Sequence, residues 1–196
     1  MPCAAFTKAV EARHYDIEAL SQQFGTSFEQ TAHRLTTLQK PGQERIPFFF
    51  IRVDPAGNVS KRLNTGSFPF ARHGGGCPLW KVHQVFQTPG RVVTQWLVLP
   101  DGQRYFSIAR TVNSGGGAFG AVRVERAVAL VCEAHHFERL VYGNDQKRDA
   151  PATPIGITCR LCQRTDCTAR SELPIGRQIL PDEYRRTEAP FGFSDA

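Results

Sequence analysis

No stretch of this 196-residue chain approaches the ~20 consecutive apolar residues that a membrane-spanning helix requires, so no span and no membrane partner are expected. Its N-terminus, MPCAAFTKAVEARHYD, is broken by charges and lacks the apolar core of a secretory signal. The reading is therefore a cytoplasmic chain. Internal repeats and low-complexity tracts are absent, which excludes a solenoid and argues against a disordered chain. Cysteine is scarce, with six in all. In a reducing compartment the closely spaced ones read as metal ligands or redox groups rather than structural disulfides. Acidic residues are in deficit, 18 Asp and Glu against 24 Lys and Arg, for a net charge of +6.

That deficit is local. Between Arg52 and Arg91 stand Arg52, Lys61, Arg62, Arg72, Lys81 and Arg91 against the single acid Asp54. Residues 1–46 are balanced, so the basic region suggests either an anionic partner or a solvated basic face. Hydrophobic content of 41% and charged content of 21% are those of an ordinary globular protein with room for one sizeable core.

The pattern starts helical. AFTKAVEARHYDIEALSQQF carries apolar residues at helical spacing, Gly25 breaks it, and Ser27 caps FEQTAHRLTTLQ before Lys40-Pro41-Gly42 ends the helical region. The pair has the outline of a helix-turn-helix. Its second helix opens with Phe28-Glu29 in a segment of zero net charge, so we read a plain helical hairpin. From Ile46 the pattern changes to strands: IPFFFIRVD and NVSKRLN about a DPAGN turn, then RVVTQWLVLP and RYFSIARTV about Pro-Asp-Gly-Gln, then VRVERAVALVC. CPLWKVHQVF and EAHHFERLVY read as short helices. Five strands in hairpin connection with flanking helices predict an α+β fold, an antiparallel sheet of the GAF/PAS sensor kind. The domain reading is a helical segment over 1–46 and a sensor domain over 47–196.

Two regions carry chemistry. In HGGGCPLW, residues 73–80, glycines allow close backbone approach to a ligand ahead of a helix start; a purely structural loop is the alternative. Lys61, Arg62 and Arg72 stand beside Phe68 and Phe70, and basic heads between rings suit a phosphate-bearing nucleotide. Cys77 and Trp80 join this candidate ligand set, although each aromatic singly also reads as core. A Cys77–His83 nucleophile pair, and hence an enzyme, is the less favoured reading.

The second region is CRLCQRTDC, whose Cys159, Cys162 and Cys167 form C-x2-C-x4-C, a metal-ligand rhythm short of one ligand. Arg160, Arg164 and Arg170 are placed to offset thiolate charge. Cys132, Cys77, His135 and His136 are the candidates for the fourth position. Cys132 is expected to fill it, because it ends the apolar run AVALVC at a sheet end, before the following loop returns. Four cysteines suit zinc or a [4Fe–4S] cluster, and spacing does not choose between them.

PFFFIRVDPAGNVSKR, GGGCPLWKVHQVF, the Cys132–Tyr142 stretch and CRLCQRTDC together resemble the C-terminal half of the short-chain fatty acyl-CoA regulators, with FGTSFEQTAHRLTTLQ similar to the end of their preceding peptidase-like region. LVYGNDQ differs from the family's usual LVYADG-like ending. The resemblance implies a bacterial transcription factor of acyl-CoA metabolism, with a GAF-like domain binding CoA or short-chain acyl-CoA, a [4Fe–4S] cluster and homo-oligomeric assembly. It implies DNA contact only through a helix-turn-helix that this chain does not contain. A zinc-stabilised nucleic-acid-binding module is the alternative.

Overall fold

The structure is a computed structural model describing residues 2–70, 76–114, 118–121, 124–144, 146–180 and 189–195. Its first three elements are α1 (Cys3–Ala12), α2 (Ile17–Phe24) and α3 (Phe28–Leu35). The first helical pattern is thus two helices, because His14 and Tyr15 adopt left-handed backbone at φ 47° and 60°. The break turns Tyr15 into the core, where its ring meets Phe48 edge-on. The Asp16 side chain caps α2 by accepting from the Ala19 N–H, and Gly25 closes it in left-handed conformation. Ser27 and Gln30 form a reciprocal capping box on α3.

A two-residue ladder, β1 (Gln39–Lys40) and β2 (Gln43–Glu44), then leads into the main sheet. Its strands are β3 (Phe49–Val53), β4 (Val59–Asn64), β5 (Val93–Val98), β6 (Arg104–Ser114), β7 (Val124–Glu133) and β8 (Thr153–Pro154). They lie in the order β4-β3-β7-β6-β5-β8, antiparallel except for the short parallel β5–β8 pair. β9 (Arg177–Leu180) and β10 (Gly192–Asp195) form a separate antiparallel pair.

Side-chain alternation gives this sheet two buried faces. One carries Phe50, Trp96, Phe106, Ile108, Val128, Leu130 and Cys132, covered by the three helices through Phe6, Val10, Leu20, Ala32 and Leu35. On the other, Phe49, Ile51, Val53, Leu97, Tyr105, Ala129 and Val131 are covered by loops bearing Phe68, Cys77, Trp80, Val82, Val85 and Ile155. The architecture is therefore helices, sheet and loop layer. The face of α3 bearing Phe28, Thr31, Ala32 and Leu35 is buried, so this helix is a packing element.

CPLWKVHQVF departs from expectation. It forms two successive 3₁₀ turns, Lys81–His83 and Val85–Gln87. The buried Gln95 of β5 explains why. Its side chain accepts from the Lys81 N–H at 2.7 Å and donates to Leu79 O at 3.0 Å, taking backbone groups that an α-helix would satisfy internally. The expected helix start for an anion is thereby replaced. EAHHFERLVY likewise forms 3₁₀ turns, Ala134–Arg139 and Val141–Gly143, which insert Phe137 against Trp96.

Candidate functional site: thiols and rings on one face of the sheet

β7 is apolar on both faces, so its sequence conceals which side each residue takes. Register resolves it. Val128, Leu130 and Cys132 point to the helices, while Ala127, Ala129 and Val131 point to the loop layer. Cys132, at 2% exposure beside Phe106 and Phe137, lies in the helix-side core, and complete burial drives its thiol pKa far up. The CRLCQRTDC loop belongs to the other side, since Ile155 just before it packs in the loop-side core. The structure therefore does not bring Cys132 to Cys159, Cys162 and Cys167; the sheet stands between.

Cys77, a less favoured candidate for the fourth position, is on the other side of the sheet from Cys132. It lies on the loop side, and its thiol is within electrostatic reach of Cys159 and Cys167. Burial raises its pKa, and hydrogen bonds to its sulfur from the Gly156 and Leu79 backbone N–H groups act in the opposite direction. Gly156 also abuts Cys162, so the same short segment touches two of the four thiols. All four are buried free cysteines; Cys3 is exposed. Among the described residues no group of three or more His, Cys, Asp or Glu is gathered closely enough to hold a metal ion as placed. The donor set nevertheless suits a four-thiolate group: buried sulfurs, N–H donors aimed at one of them, and the Ser171 hydroxyl on Cys159 Sγ at 3.4 Å. His135 is exposed, paired with Glu133 at 3.3 Å and in ring contact with His136.

The interleaved arginines act on backbone. Arg170, only 3% exposed, donates to the carbonyls of Cys162, Arg164 and Glu172 and covers the Phe193 ring. Arg164 donates to Val98 O at 3.4 Å, tying the loop to the end of β5. These contacts hold the loop's path, and Arg160 stays exposed.

The ligand residues divide as well. Lys61 and Arg62 are neighbours on β4 and so face opposite ways. Lys61 lies over Phe50 on the helix side, close enough to His33 to depress that imidazole's pKa after burial itself. Arg62 stacks over Phe70 on the loop side at 4.9 Å. Phe70 and Phe68 both pack on Phe49, and Phe68 continues to Trp80 and Tyr105. Phe68, Phe70, Cys77 and Trp80 together line one crevice with Gly76 and Gly156, closed to a water-sized molecule. Trp80 is 1% exposed, with its indole N–H bonded to Ser107, and is a core residue here. Arg72 and the His73–Gly75 part of HGGG lie outside the described residues. No hydrogen bond joins Cys77 to His83 among the described residues, and the raised thiol pKa runs against a nucleophile.

Gly156 and Ser171 carry contacts to the thiols that the sequence reading did not single out. A glycine three residues before Cys159 was the one available signal.

A two-faced α+β domain with buried thiols and stacked rings on its loop side has the layout of a binding or regulatory module. Residues 37–191 match the domain described as "Short-chain fatty acyl coenzyme A regulator, C-terminal", and the chain belongs to that family. It is 44% identical over 195 residues to the "Propionyl-CoA carboxylase regulator" of Cereibacter sphaeroides, a match covering all of this chain and 42% of that protein. It is 41% identical over 197 residues to the "HTH-type transcriptional regulator PrpR" of Mycobacterium tuberculosis, covering all of this chain and 40% of the relative. The M. tuberculosis regulator RamB is 42% identical over 97% of this chain and 41% of its own length. The chain thus spans about two fifths of these curated relatives. A solved M. tuberculosis transcriptional regulator shares the fold with TM-score 0.89 and 41% identity, over 96% of this chain and 58% of that one. No helix among the described residues is long and apolar enough to cross a membrane.

Proposed function

We propose that this domain is the sensing part of a bacterial transcriptional regulator of short-chain acyl-CoA metabolism. It binds CoA or a short-chain acyl-CoA and holds a [4Fe–4S] cluster. Family membership supports the regulator class, as do relatives named as transcriptional regulators and as a propionyl-CoA carboxylase regulator. It is a sensor domain without catalysis, working in the cytoplasm as a homo-oligomer whose DNA contact is made elsewhere in the regulator. The order β4-β3-β7-β6-β5 supports the GAF/PAS-like plan: by order among the five, the strands run second, first, fifth, fourth, third.

The observation that carries the cluster reading is that Cys77 and Gly156 line one crevice on the loop-side face while Gly156 abuts Cys162. We assign Cys77, Cys159, Cys162 and Cys167 as its ligands, in place of a set using Cys132. Bound there, the group supplies a redox-responsive anchor between the Gly76–Leu79 turn and the C-terminal loop. The surrounding residues fix the loop through Arg170 and donate to sulfur through Gly156, Leu79 and Ser171. Ligand and cluster then act by population shift, each favouring one arrangement that the remainder of the regulator reads.

Anaerobic purification followed by iron, sulfide and zinc analysis, with mass spectrometry of co-purified nucleotide, tests this reading. Four irons and four sulfides per chain and retained CoA or acyl-CoA are expected. One zinc with no sulfide would favour the zinc-stabilised alternative. Absence of CoA binding by calorimetry would remove the sensing role.

A further inference from the structure

Beside the closed crevice lies an open cleft of about 390 Å³ between the β3–β4 turn, the Gly76–Pro78 segment and Ser171. Its floor is His83. The imidazole sits between two glycines, with Nε2 3.5 Å from where a Gly76 Cβ would stand and Nδ1 3.8 Å from the same point on Gly57. His83 Nε2 is buried and has no hydrogen-bond partner among the described residues. An orphaned buried nitrogen in a roomy polar cleft is a recognition group awaiting a partner.

We infer that this cleft binds a neutral, amide-bearing ligand segment of the pantetheine class, and that its occupancy is coupled to the Cys159 loop. The inference rests on the proposed CoA-sensing role and places the uncharged arm of that ligand.

Charge selects the segment. Among the described residues no Lys or Arg lines the cleft, and Asn58 on its rim is bonded through both backbone and side chain to the Asp54 carboxylate. A phosphate buried there would lack a counter-cation and meet that negative charge. A purely aliphatic chain would leave the His83 nitrogen unpaired. An amide serves both requirements, its N–H reaching Nε2 and its carbonyl reaching a hydroxyl. Burial lowers the His83 pKa, which keeps the ring neutral and able to accept.

Two cleft walls are also walls of the thiol site. Gly76 and Pro78 flank Cys77, and Ser171 spends its hydroxyl on Cys159 Sγ. A ligand carbonyl accepting from Ser171 competes with that sulfur, so binding and the Cys159 loop must influence each other in both directions.

The test uses the full chain, anaerobically purified, with three probes: CoA, the S-methyl ether of pantetheine, and 3′,5′-ADP. Calorimetry is expected to show S-methylpantetheine binding weakened at least ~10-fold by His83→Phe and by Ser171→Tyr, which fill the cleft from opposite walls, and largely retained in His83→Gln. Hydrogen exchange over residues 156–172 is expected to change on adding S-methylpantetheine to the parent protein and not to the Ser171→Ala variant. Binding of S-methylpantetheine that is absent, unaffected by either filling variant where both fold, or displaced by 3′,5′-ADP would overturn the assignment. Unchanged CoA affinity in the filling variants sinks the cleft and leaves the sensing role standing. S-methylpantetheine bound with no affinity for CoA does the reverse.

Discussion

Gly156 lies against Cys162 so closely that a Cβ at position 156 would stand 2.8 Å from Cys162 Cβ and 2.9 Å from its Sγ. Real Cβ atoms do not make such contacts, so a side chain there has to move the cysteine or its loop. Gly156→Ala is therefore expected to destabilise the fold by about 1–3 kcal/mol, the usual range for overpacking. It should also lower metal content by displacing one thiol. Urea unfolding with iron and zinc analysis checks both, and a variant equal to the parent in both would contradict the contact.

The opposite faces of β7 separate two cysteine substitutions. Cys77→Ser should strip or destabilise the bound metal as severely as Cys162→Ser, because the proposed set loses a thiolate in either case. Cys132→Val, a replacement of similar size in an apolar site, should keep the metal and change stability by under ~1.5 kcal/mol. Metal loss in Cys132→Val with retention in Cys77→Ser would restore Cys132 as the ligand.

Strand alternation makes the same kind of prediction for Lys61 and Arg62. Arg62→Ala, on the side of Phe70 and the thiols, should weaken CoA binding about tenfold, or ~1.4 kcal/mol. Lys61→Ala, over Phe50 on the helix side, should leave affinity within about twofold. Titration calorimetry on the two single variants decides, and equal losses would place the phosphates at the sheet edge that both residues share.

His136 supplies a pH dependence. Burial first, then the charges of His135 and Arg139, push its pKa down to about 4, with Glu133 opposing. Because the folded pKa lies below the ordinary histidine value of ~6.5, the unfolded chain takes up the proton first between those limits. Stability should thus be full above about pH 6.5 and decline as the pH falls toward 4. Thermal unfolding across that range should show the decline, and His136→Gln should flatten it. A slope unaltered by the substitution would assign the dependence to other groups.

Much of this protein was legible in its sequence because the signals were local. Ser27 with Gln30, Gly25 after α2, and Pro-Asp-Gly-Gln between β5 and β6 each act within a few residues, and each did what its chemistry requires. The family was legible for a related reason: GGGCPLW and CRLCQRTDC are distinctive combinations whatever they fold into, and the family match spans both. Helical periodicity in CPLWKVHQVF was real but insufficient. Gln95, some fifteen residues away, took the backbone groups and left 3₁₀ turns.

What only the tertiary structure decided is which side of the sheet each group occupies. The run AVALVC is apolar at every position, so alternation carries no sign of which residue faces helices and which faces loops. A shift of one residue would exchange Cys132 and Val131. Pairing of β7 with β3 and β6 fixes that choice. It places Cys132 among Phe106 and Phe137 and leaves Cys77 on the far face, in the same crevice as Gly156 that abuts Cys162. The residue types and their spacing set the chemistry available to this chain; the register of one doubly buried strand set which of them can act together.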